Sequence, residues 1–375
     1  MRVILVCDGL FPLQIGGMQK HSTMLVRYLL RAGVDLTLVH PHRDDEVKSL
    51  FVEEVSQPRL IAVPWPSSLP FPGHYLWKNY RYSALVRDAL MQSGHPPAPI
   101  YVQGFAGWKL ISEPLTGFPV LLNFHGLEMF QRLQGTRNRL QAAMLRHPAR
   151  KLMNEAAGVV SLGGKLADII HREAPAARIF TLPVGIEASW CEPPFRPSAD
   201  KRNFLFVGRY EWRKGIELLQ EVIPRVLAVS PEANFRFIGD IPVHLQHKNA
   251  RVRYEGPLRD EKVIRELYAA SDVLLCPSWS EGMPTVIHEA MASGLAVIAS
   301  DVGGVAEQVN DSNGFLMQPG DAIALEAAIL ACCRSEPGNL DQLRQRSREK
   351  VQQFFWPRVA QLTLEALRAP EFLQR

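Results

Sequence analysis

The sequence lacks any uninterrupted apolar run of the roughly 18 residues that a membrane-spanning helix requires. Asp8 interrupts the apolar stretch that starts at Val3, too early for the hydrophobic core of a secretory signal. Cysteine is also scarce, and the five cysteines show no metal-type spacing. These absences predict a cytoplasmic protein with reduced thiols, no transmembrane segment and no cysteine-based metal site.

The chain also lacks a strong excess of charge of either sign. Its 375 residues carry a formal net charge of +4, with 47% apolar and 21% charged residues, as is usual for a globular protein with well-filled cores. This length predicts two domains or one large one. No nucleic-acid-reading motif accompanies the small net charge, so nucleic acid is not expected as a partner.

Short β-branched or Leu-rich runs alternate with longer helical patterns in the first half of the chain. The predicted strands are Val3–Cys7, Leu36–His40, Leu60–Val63, Ile100–Gln103, Val120–Asn123, Gly158–Leu162 and Ile179–Leu182. The predicted helices are Gly17–Arg31, Tyr75–Met91, Arg132–Asn154 and Gly164–Glu173. This alternation predicts an α/β fold with a mainly parallel sheet covered on both faces.

A proline-rich stretch, Cys191–Arg202, interrupts the alternation and predicts an interdomain linker. After it, strands are predicted at Phe204–Val207, Phe235–Ile238, Val252–Tyr254, Val273–Cys276 and Ala296–Ala299. Helices are predicted between them at Gly215–Ala228, Asp260–Ala269 and 284–293. We therefore expect two Rossmann-like doubly wound domains, residues 1–190 and 200–354, facing each other across a cleft. The last segment, about 355–375, is helical in pattern and is expected to pack back onto the first domain.

The most informative stretch covers residues 278–294. Pro284 suits a first helical position, so Glu281 falls in the loop that follows the Val273–Cys276 strand. Open α/β sheets bind their ligands at this end of their strands. The sequence therefore predicts that Glu281 faces a ligand.

The helix predicted after Glu281 adds an anion site. Its first free N–H groups, around Thr285 and Val286, suit a phosphate, and Glu289 follows within the helix. Carboxylates accept hydrogen bonds from sugar and ribose diols. The segment thus offers a phosphate cradle with acids on either side.

Three further clusters follow predicted strands. Arg209 and Lys214 are residue types that neutralise a diphosphate, Gly16-Gly17 lets the backbone approach a ligand closely, and His125 points into the same cleft. Each feature has an ordinary alternative: surface acids, a solvated basic turn, a tight glycine turn and a structural histidine. Their joint occurrence at the carboxyl ends of strands in two opposed domains favours a functional site.

The sequence resembles the retaining GT-B glycosyltransferases of the family-four group. The motifs that carry the resemblance are the Glu-x7-Glu pair Glu281/Glu289 and the segments Val207–Gly215, Leu182–Glu187, Phe237–Asp240, Ser300–Gly304 and Phe11–Gly17. The resemblance covers essentially the whole chain and is strong over residues 203–317. It implies a GT-B fold and transfer of a hexose-type sugar from a nucleotide-diphospho-sugar to a hydroxyl acceptor, with retention of the anomeric configuration.

The resemblance implies roles for individual residues. Arg209 and Lys214 would hold the donor diphosphate, while Glu289 would bind the nucleotide ribose. Glu281 would bind the hydroxyls of the transferred sugar, and His125 would line the sugar site. The other donor-binding positions that it implies are Gly16, Gly17, Gly208, Leu258, Met283, Pro284, Thr285 and Val286.

The resemblance also implies that no metal is required, because Arg209 and Lys214 would offset the charge of the leaving group. The absence of an Asp-x-Asp motif agrees, so no metal or other cofactor is expected besides the nucleotide-sugar co-substrate. No carboxylate nucleophile is evident in the first domain, which favours same-face attack. Met283-Pro-Thr-Val and Gln19 depart from the family's usual residues, which leaves the shape of the sugar pocket and the activation of the acceptor open.

Two stretches bear on the acceptor. Arg132–Lys151 contains six basic residues and no acid, and Trp65–Tyr82 mixes aromatics with Lys78 and Arg81. They predict peripheral contact with an anionic membrane surface on the cytoplasmic side, where a lipopolysaccharide or lipid-linked glycan would be the acceptor. The alternative is a solvated helix face with packed aromatics. Two other functions stay open: a nucleotide-sugar epimerase or hydrolase on the same fold, and a non-catalytic nucleotide-sugar binding protein.

Overall fold

Seven parallel strands form the first sheet of the computed structural model, which describes residues 1–67 and 73–374. They are β1 (Arg2–Val6), β2 (Asp35–His40), β3 (Arg59–Ala62), β4 (Ile100–Gln103), β5 (Val120–Asn123), β6 (Gly158–Ser161) and β7 (Ile179–Thr181). Their order is β3-β2-β1-β4-β5-β6-β7, so the direction of winding reverses between β1 and β4. Such a reversal is a topological switch point, where open α/β sheets bind ligands.

Helices cover both faces of this sheet. They are α1 (Gly17–Arg31), α2 (Asp44–Leu50), α3 (His74–Gln92), α4 (Trp108–Ser112), α5 (Thr136–Glu155) and α6 (Gly164–Glu173). Two of them, α1 and α6, have the predicted bounds. The prediction for α5 was wrong at its start: Gly135 has a φ of 82°, so the helix begins at Thr136 rather than at Arg132.

Six parallel strands form the second sheet among the described residues. They are β8 (Arg202–Val207), β9 (Ala233–Ile238), β10 (Val252–Tyr254), β11 (Val273–Cys276), β12 (Ala296–Ser300) and β13 (Gly314–Met317), in the order β10-β9-β8-β11-β12-β13. Its helices are α7 (Ile216–Val229), α8 (Glu261–Ala269), α9 (Thr285–Ala292), α10 (Val305–Gln308), α11 (Ala322–Arg334) and α12 (Pro337–Lys350). The switch point of this sheet lies between β8 and β11, and the predicted fold class of two doubly wound α/β sheets is confirmed.

The chain returns to the first domain at its end. The helices α13 (Trp356–Arg368) and α14 (Pro370–Leu373) follow a short parallel bridge between Ile186 and Phe355. Trp356 is buried, and its ring stacks on that of Tyr28 in α1, with the ring centroids 6.0 Å apart. One apolar cluster contains this tryptophan together with Val184 and Met283, so apolar packing joins the two domains beside the cleft.

Candidate active site

The switch points of the two sheets face each other across a cleft with a volume of about 540 Å³. Loops that follow β1, β4 and β5 line it from the first domain, and loops that follow β8 and β11 line it from the second. The predicted site residues that line this cleft are Gly17, His125, Glu281, Met283 and Thr285. Carboxyl ends of strands from both domains therefore converge on one volume, as the topology of open sheets predicts.

Glu281 presents a fixed carboxylate at the cleft. The residue is 5% exposed, and it lies in the loop between β11 and α9. Its Oε1 accepts hydrogen bonds from Lys214 Nζ at 2.7 Å and from Ser278 Oγ at 2.9 Å, and its Oε2 accepts one from Arg213 Nη1 at 3.2 Å. Charge-assisted hydrogen bonds of this kind offset the cost of burying a carboxylate and set its orientation.

The two arginines after β8 have different environments. Arg209 has a side chain that is 79% exposed, and its guanidinium pairs with Glu211 at 2.9 Å. Arg213 is 34% exposed and pairs with both Glu211 and Glu281. The structure therefore brings Lys214 and Arg213 to Glu281, and it leaves the predicted Arg209 outside this group.

The start of α9 also lies at the cleft. Pro284 is extended, with φ −69° and ψ 120°, so the helix begins at Thr285, one residue later than predicted. Thr285 is exposed and lines the cleft. Because backbone N–H groups at a helix start lack helical partners, this end of α9 is suited to an anionic group.

Glu289 lies one turn further along α9, beside the main cleft. Its Oε2 accepts a hydrogen bond from Tyr268 Oη at 2.9 Å, and burial raises the pKa of its carboxyl. Together with Lys20 and Trp190 it lines a side cavity of about 60 Å³. Gly17 and Thr285 line both volumes, so the side cavity adjoins the main cleft.

His125 sits in a buried polar network on the first-domain wall. Its Nε2 lies 2.6 Å from Gln103 Oε1, and its backbone N–H donates to Asn123 Oδ1 at 2.7 Å. The ring of His21, on α1, meets that of His125 edge-on, with the centroids 4.8 Å apart. Burial lowers the pKa of His125 to about 4, so its imidazole is neutral at neutral pH.

The remaining predicted positions lie around this centre. Met283 is buried and reaches the first domain, where the backbone N–H of Val184 donates to its sulfur at 3.3 Å. Leu258 is half-buried against the apolar core. Within the described residues, the predicted positions that do not themselves line the cleft are Gly16, Gly208, Arg209, Lys214, Leu258, Pro284, Val286 and Glu289.

Two families of known proteins match the chain. The family described as Glycosyltransferase Family 4 matches residues 15–190, and the family described as Glycosyl transferases group 1 matches residues 201–335. The first match covers the first sheet with its cleft loops, and the second covers the loops that carry Lys214, Glu281 and Glu289. The chain belongs to the GT-B glycosyltransferases of the family-four type.

Individual relatives agree with this assignment. The glycosyltransferase is 27% identical over 345 residues to the putative teichuronic acid biosynthesis glycosyltransferase TuaC of Bacillus subtilis, covering 82% of this chain and 83% of that protein. It is 24% identical over 340 residues to a phosphatidylinositol N-acetylglucosaminyltransferase protein of Arabidopsis thaliana, covering 85% and 71%. The structure of Anabaena Alr3699/HepE in complex with UDP superposes with a TM-score of 0.70 at 18% identity, over 98% of this chain and 99% of that one.

Sequence reasoning missed two residues of the site. Arg213 had a signal, because it stands directly before Lys214 in the predicted turn, but the sequence does not show which arginine faces the acid. His21 had a weaker one: it is a polar residue on the buried face of α1. In the glycosyltransferase, Arg213 contacts Glu281 and His21 contacts His125, and the motifs did predict Glu281 and His125.

The described part of the glycosyltransferase offers neither a metal cluster nor a membrane-spanning helix. Across residues 1–67 and 73–374, no three His, Cys, Asp or Glu side chains are grouped so that they could hold a metal ion. Over the same residues, no helix combines the length and apolarity needed to cross a bilayer.

The two stretches predicted to face a membrane are only partly exposed. Of the basic residues in Arg132–Lys151, Arg150 pairs with Glu173 at 2.6 Å, while Arg137 and Arg139 are exposed near the start of α5. Large apolar side chains are exposed on both helices: Leu140 and Met144 on α5, and Tyr75, Trp77 and Tyr80 on α3. Trp65 instead packs against Tyr82, and residues 68–72 lie outside the described part of the chain.

Proposed function

We propose that this glycosyltransferase transfers a hexose-type sugar from a UDP- or GDP-sugar to a hydroxyl acceptor, with retention of configuration and without a required metal. The observation that carries the proposal is the buried Glu281 carboxylate, held by Lys214 and Arg213 at one switch point and facing His125 across the cleft. A carboxylate for the sugar hydroxyls and a cation for the diphosphate, Glu281 and Lys214, thus lie side by side at the carboxyl ends of strands. The UDP complex of the Anabaena protein, which has the same fold, supports a nucleotide-sugar donor.

The donor would lie mainly on the second domain. Glu281 would accept hydrogen bonds from the sugar hydroxyls, and Glu289, in the side cavity, would bind the ribose. Lys214 and Arg209 would hold the diphosphate, which requires the exposed Arg209 side chain to leave Glu211 and turn towards the ligand. The remaining donor contacts would come from the backbone around the start of α9 and from the border of the nucleotide site, at Met283, Pro284, Thr285, Val286, Gly208 and Leu258.

The first domain would close the donor site. The Gly16-Gly17 loop would approach the phosphates, because a Cβ added at Gly17 would meet nothing within 4 Å and the residue lines the cleft. His125 would line the sugar site as a neutral group, since burial lowers the pKa of its imidazole to about 4.

The reaction we propose is a same-face displacement. The acceptor oxygen forms a bond to the anomeric carbon on the face from which the phosphate leaves, while the bond between that carbon and the phosphate oxygen breaks. The proton of the acceptor hydroxyl passes to the departing phosphate oxygen, so the products are the glycoside and the nucleoside diphosphate. Lys214 and Arg209 would stabilise the negative charge that develops on the leaving group, which makes a metal unnecessary.

The lining of the cleft supports an acceptor with an apolar portion. Its first-domain wall is largely aromatic and aliphatic and contains Tyr75, Phe105, Phe124, Met129, Leu133 and Leu145. Two relatives act, by their names, in teichuronic acid biosynthesis and on phosphatidylinositol. We therefore propose a cell-envelope glycan, lipopolysaccharide or lipid-linked glycan as acceptor.

The surface of α5 beside the cleft supports contact with a membrane. Helix α5 lines the cleft with Asn138 and Gln141, and it exposes Arg137, Arg139 and Leu140 nearby. Basic and apolar side chains on one helix suit an anionic lipid surface, so we propose a cytoplasmic protein that binds peripherally to the inner face of the membrane. Cosedimentation with phosphatidylglycerol vesicles tests this, and it should be lost when Arg137 and Arg139 are both changed to Glu but kept in an Arg334→Glu control.

A transfer assay tests the proposed reaction. The enzyme is incubated in EDTA with UDP- and GDP-sugars and lipid-linked glycan acceptors, and NMR determines the anomeric configuration of the product. We expect a product with the configuration of the donor, formed at least about a hundredfold more slowly by Lys214→Ala. An inverted product would overturn retention, and a strict need for Mg²⁺ would overturn metal independence. Free sugar or an isomerised donor would identify a hydrolase or an epimerase, and binding without any turnover would identify a binding protein.

A further inference from the structure

Two adjacent residues before α5 reach across the cleft to the loop that carries Glu281. Gln131 is on the first domain, and its Nε2 donates to the carbonyl oxygen of Glu281 at 2.7 Å and also to that of Gly126. Its Oε1 accepts hydrogen bonds from Ser280 Oγ at 3.0 Å and from the backbone N–H of Glu281 at 3.3 Å. One side chain therefore satisfies both backbone polar groups of Glu281 from the opposite domain.

Arg132 contacts the same loop through the indole ring of Trp279. Its guanidinium carbon lies 4.1 Å from the centroid of Trp279, a distance typical of cation–π contact. Trp279 also stacks on Trp212, with the ring centroids 5.3 Å apart and the planes within 4° of parallel. The backbone N–H of Trp279 donates to the carbonyl oxygen of Arg213 at 2.7 Å.

These contacts link three loops from two domains. Trp212 and Arg213 precede Lys214, so the loop after β8 is attached to the loop after β11, and both are attached to Gln131 and Arg132. Close packing beside them shows how near the domains come: a Cβ added at Gly282 would lie 3.2 Å from the Cα of Gly126. If the domains part, the backbone of Glu281 loses its contacts with Gln131, and Trp279 loses its cation.

We infer that Gln131 and Arg132 are positioning residues that couple closure of the two domains to placement of Glu281, Lys214 and Arg213 around the donor. The inference rests on the proposed function for its effect on turnover, but the coupling itself is a property of the two domains alone. Neither residue needs to touch the reacting atoms. Closing motions commonly complete an active site in this way, and losing one affects turnover more than binding to the open form.

The decisive variants remove the contacts of Gln131 and Arg132 with the loop that carries Glu281. Gln131→Glu replaces the Nε2 donor by an acceptor that faces two carbonyl oxygens, so it should release the loop although the volume is conserved. Arg132→Ala removes the cation over Trp279, and Arg132→Lys should restore part of the effect, because an ammonium keeps the charge without the planar stack. Arg346→Ala is the control, since it removes an exposed arginine from α12, outside the cleft.

Two measurements separate this inference from the proposed function. Hydrogen–deuterium exchange of the unliganded protein should rise in residues 279–283 of Gln131→Glu and Arg132→Ala, with α11 and the Arg346→Ala variant unchanged. In the transfer assay, both variants should lower kcat by about tenfold while the Kd for UDP changes by less than about threefold. Unchanged exchange in residues 279–283, or a loss of UDP affinity as large as the loss of kcat, would overturn the inference. A wild-type protein that transfers no sugar would overturn the proposed function, and the exchange data would still decide whether the coupling exists.

Discussion

Lys214 Nζ lies 2.7 Å from Oε1 of Glu281, although the two residues are 67 positions apart in the chain. The pair joins the loop after β8 to the loop after β11, the two strands that flank the switch point of the second sheet. A buried ion pair is costly unless its members are also hydrogen-bonded, and here Ser278 and Arg213 supply further bonds to the carboxylate. These bonds fix the orientation of the carboxylate at the cleft.

Removing either member of the pair should abolish most of the activity. Glu281→Gln keeps the size of the side chain but removes the charge that faces Lys214 and the sugar hydroxyls, and Lys214→Ala removes a cation from the leaving group. We expect each to reduce kcat by at least about a hundredfold, the scale of losing one contact to developing charge. Steady-state kinetics with the preferred donor measures the reduction of kcat. Glu217→Gln, an exposed acid on α7, is the control, and near-normal rates in both site variants would remove the site assignment.

Substitutions of the two arginines after β8 should separate binding of the donor diphosphate from positioning of Glu281. Arg209 is proposed to bind the diphosphate, so Arg209→Ala should weaken the affinity for UDP by about tenfold, the effect of losing one charge-assisted contact. Arg213→Ala leaves one oxygen of Glu281 without its cation and should chiefly lower kcat. Isothermal titration with UDP compares the two. If Arg213→Ala loses the affinity and Arg209→Ala keeps it, the diphosphate role belongs to Arg213.

The strands and the general position of the site follow from the sequence because their causes are local. The strands β4, β5, β10 and β11 have the predicted bounds. Three of them, β4, β5 and β11, are fully buried, and strands buried in a parallel sheet are continuous, largely apolar runs. The sheet topology then places the residues after β5 at the carboxyl edge of the first sheet and those after β8 and β11 at the carboxyl edge of the second, on the two sides of one cleft. Glu281 and His125 could therefore be predicted as neighbours of the same cleft before any contact was known.

The sequence could not predict the contacts between loops that are distant in the chain. Arg132 belongs to a basic stretch with helical periodicity, yet the helix begins only after Gly135, and Arg132 stacks on Trp279 of the other domain. Neither partner has a local signal for this contact. Arg209 and Arg213 are likewise equivalent in the sequence, and only the fold of the turn decides which one meets Glu281.

Acid should destabilise the protein through its buried histidines. Burial lowers the pKa of His125 from 6.5 to about 4. The unfolded chain therefore takes up a proton near pH 6.5 while the folded one does not, so stability is complete above about pH 6.5 and falls as the pH drops towards 4. At about pH 5 the loss from this residue is on the order of 2 kcal/mol.

Urea unfolding at about pH 7 and about pH 5 measures this loss. His125→Gln should reduce the difference between the two free energies of unfolding, whereas His171→Gln, which changes an exposed histidine on α6, should leave it as in the wild type. His21 and His288 are also buried with lowered pKa values and maintain part of the pH dependence in every variant. An equal pH dependence in His125→Gln and in the wild type would show that His125 is already protonated, or accessible, in the folded protein.

The C-terminal helix should contribute strongly to stability. Trp356 is buried between α1 and the chain around Gly185, where any added Cβ would collide with the indole. Trp356→Ala should lower the free energy of unfolding by about 3–5 kcal/mol, because it leaves a large cavity at the junction of the domains. Ile323→Ala, at an exposed position, should cost no more than about 0.5 kcal/mol. Thermal unfolding followed by circular dichroism compares them, and equal midpoints would mean that the helix is not anchored there.

The most direct test of the central claim is a thermal-shift panel of UDP, GDP, ADP and CMP, in EDTA and in Mg²⁺, on the wild type and on Lys214→Ala. A millimolar ligand at a micromolar site stabilises the folded state by about 4 kcal/mol, which gives a clear shift of the melting temperature. We predict that UDP or GDP shifts the wild type equally in EDTA and in Mg²⁺, and that the shift is largely lost in Lys214→Ala. The absence of a shift with every nucleotide, or an equal shift in Lys214→Ala, would contradict a nucleotide-sugar site built on Glu281 and Lys214.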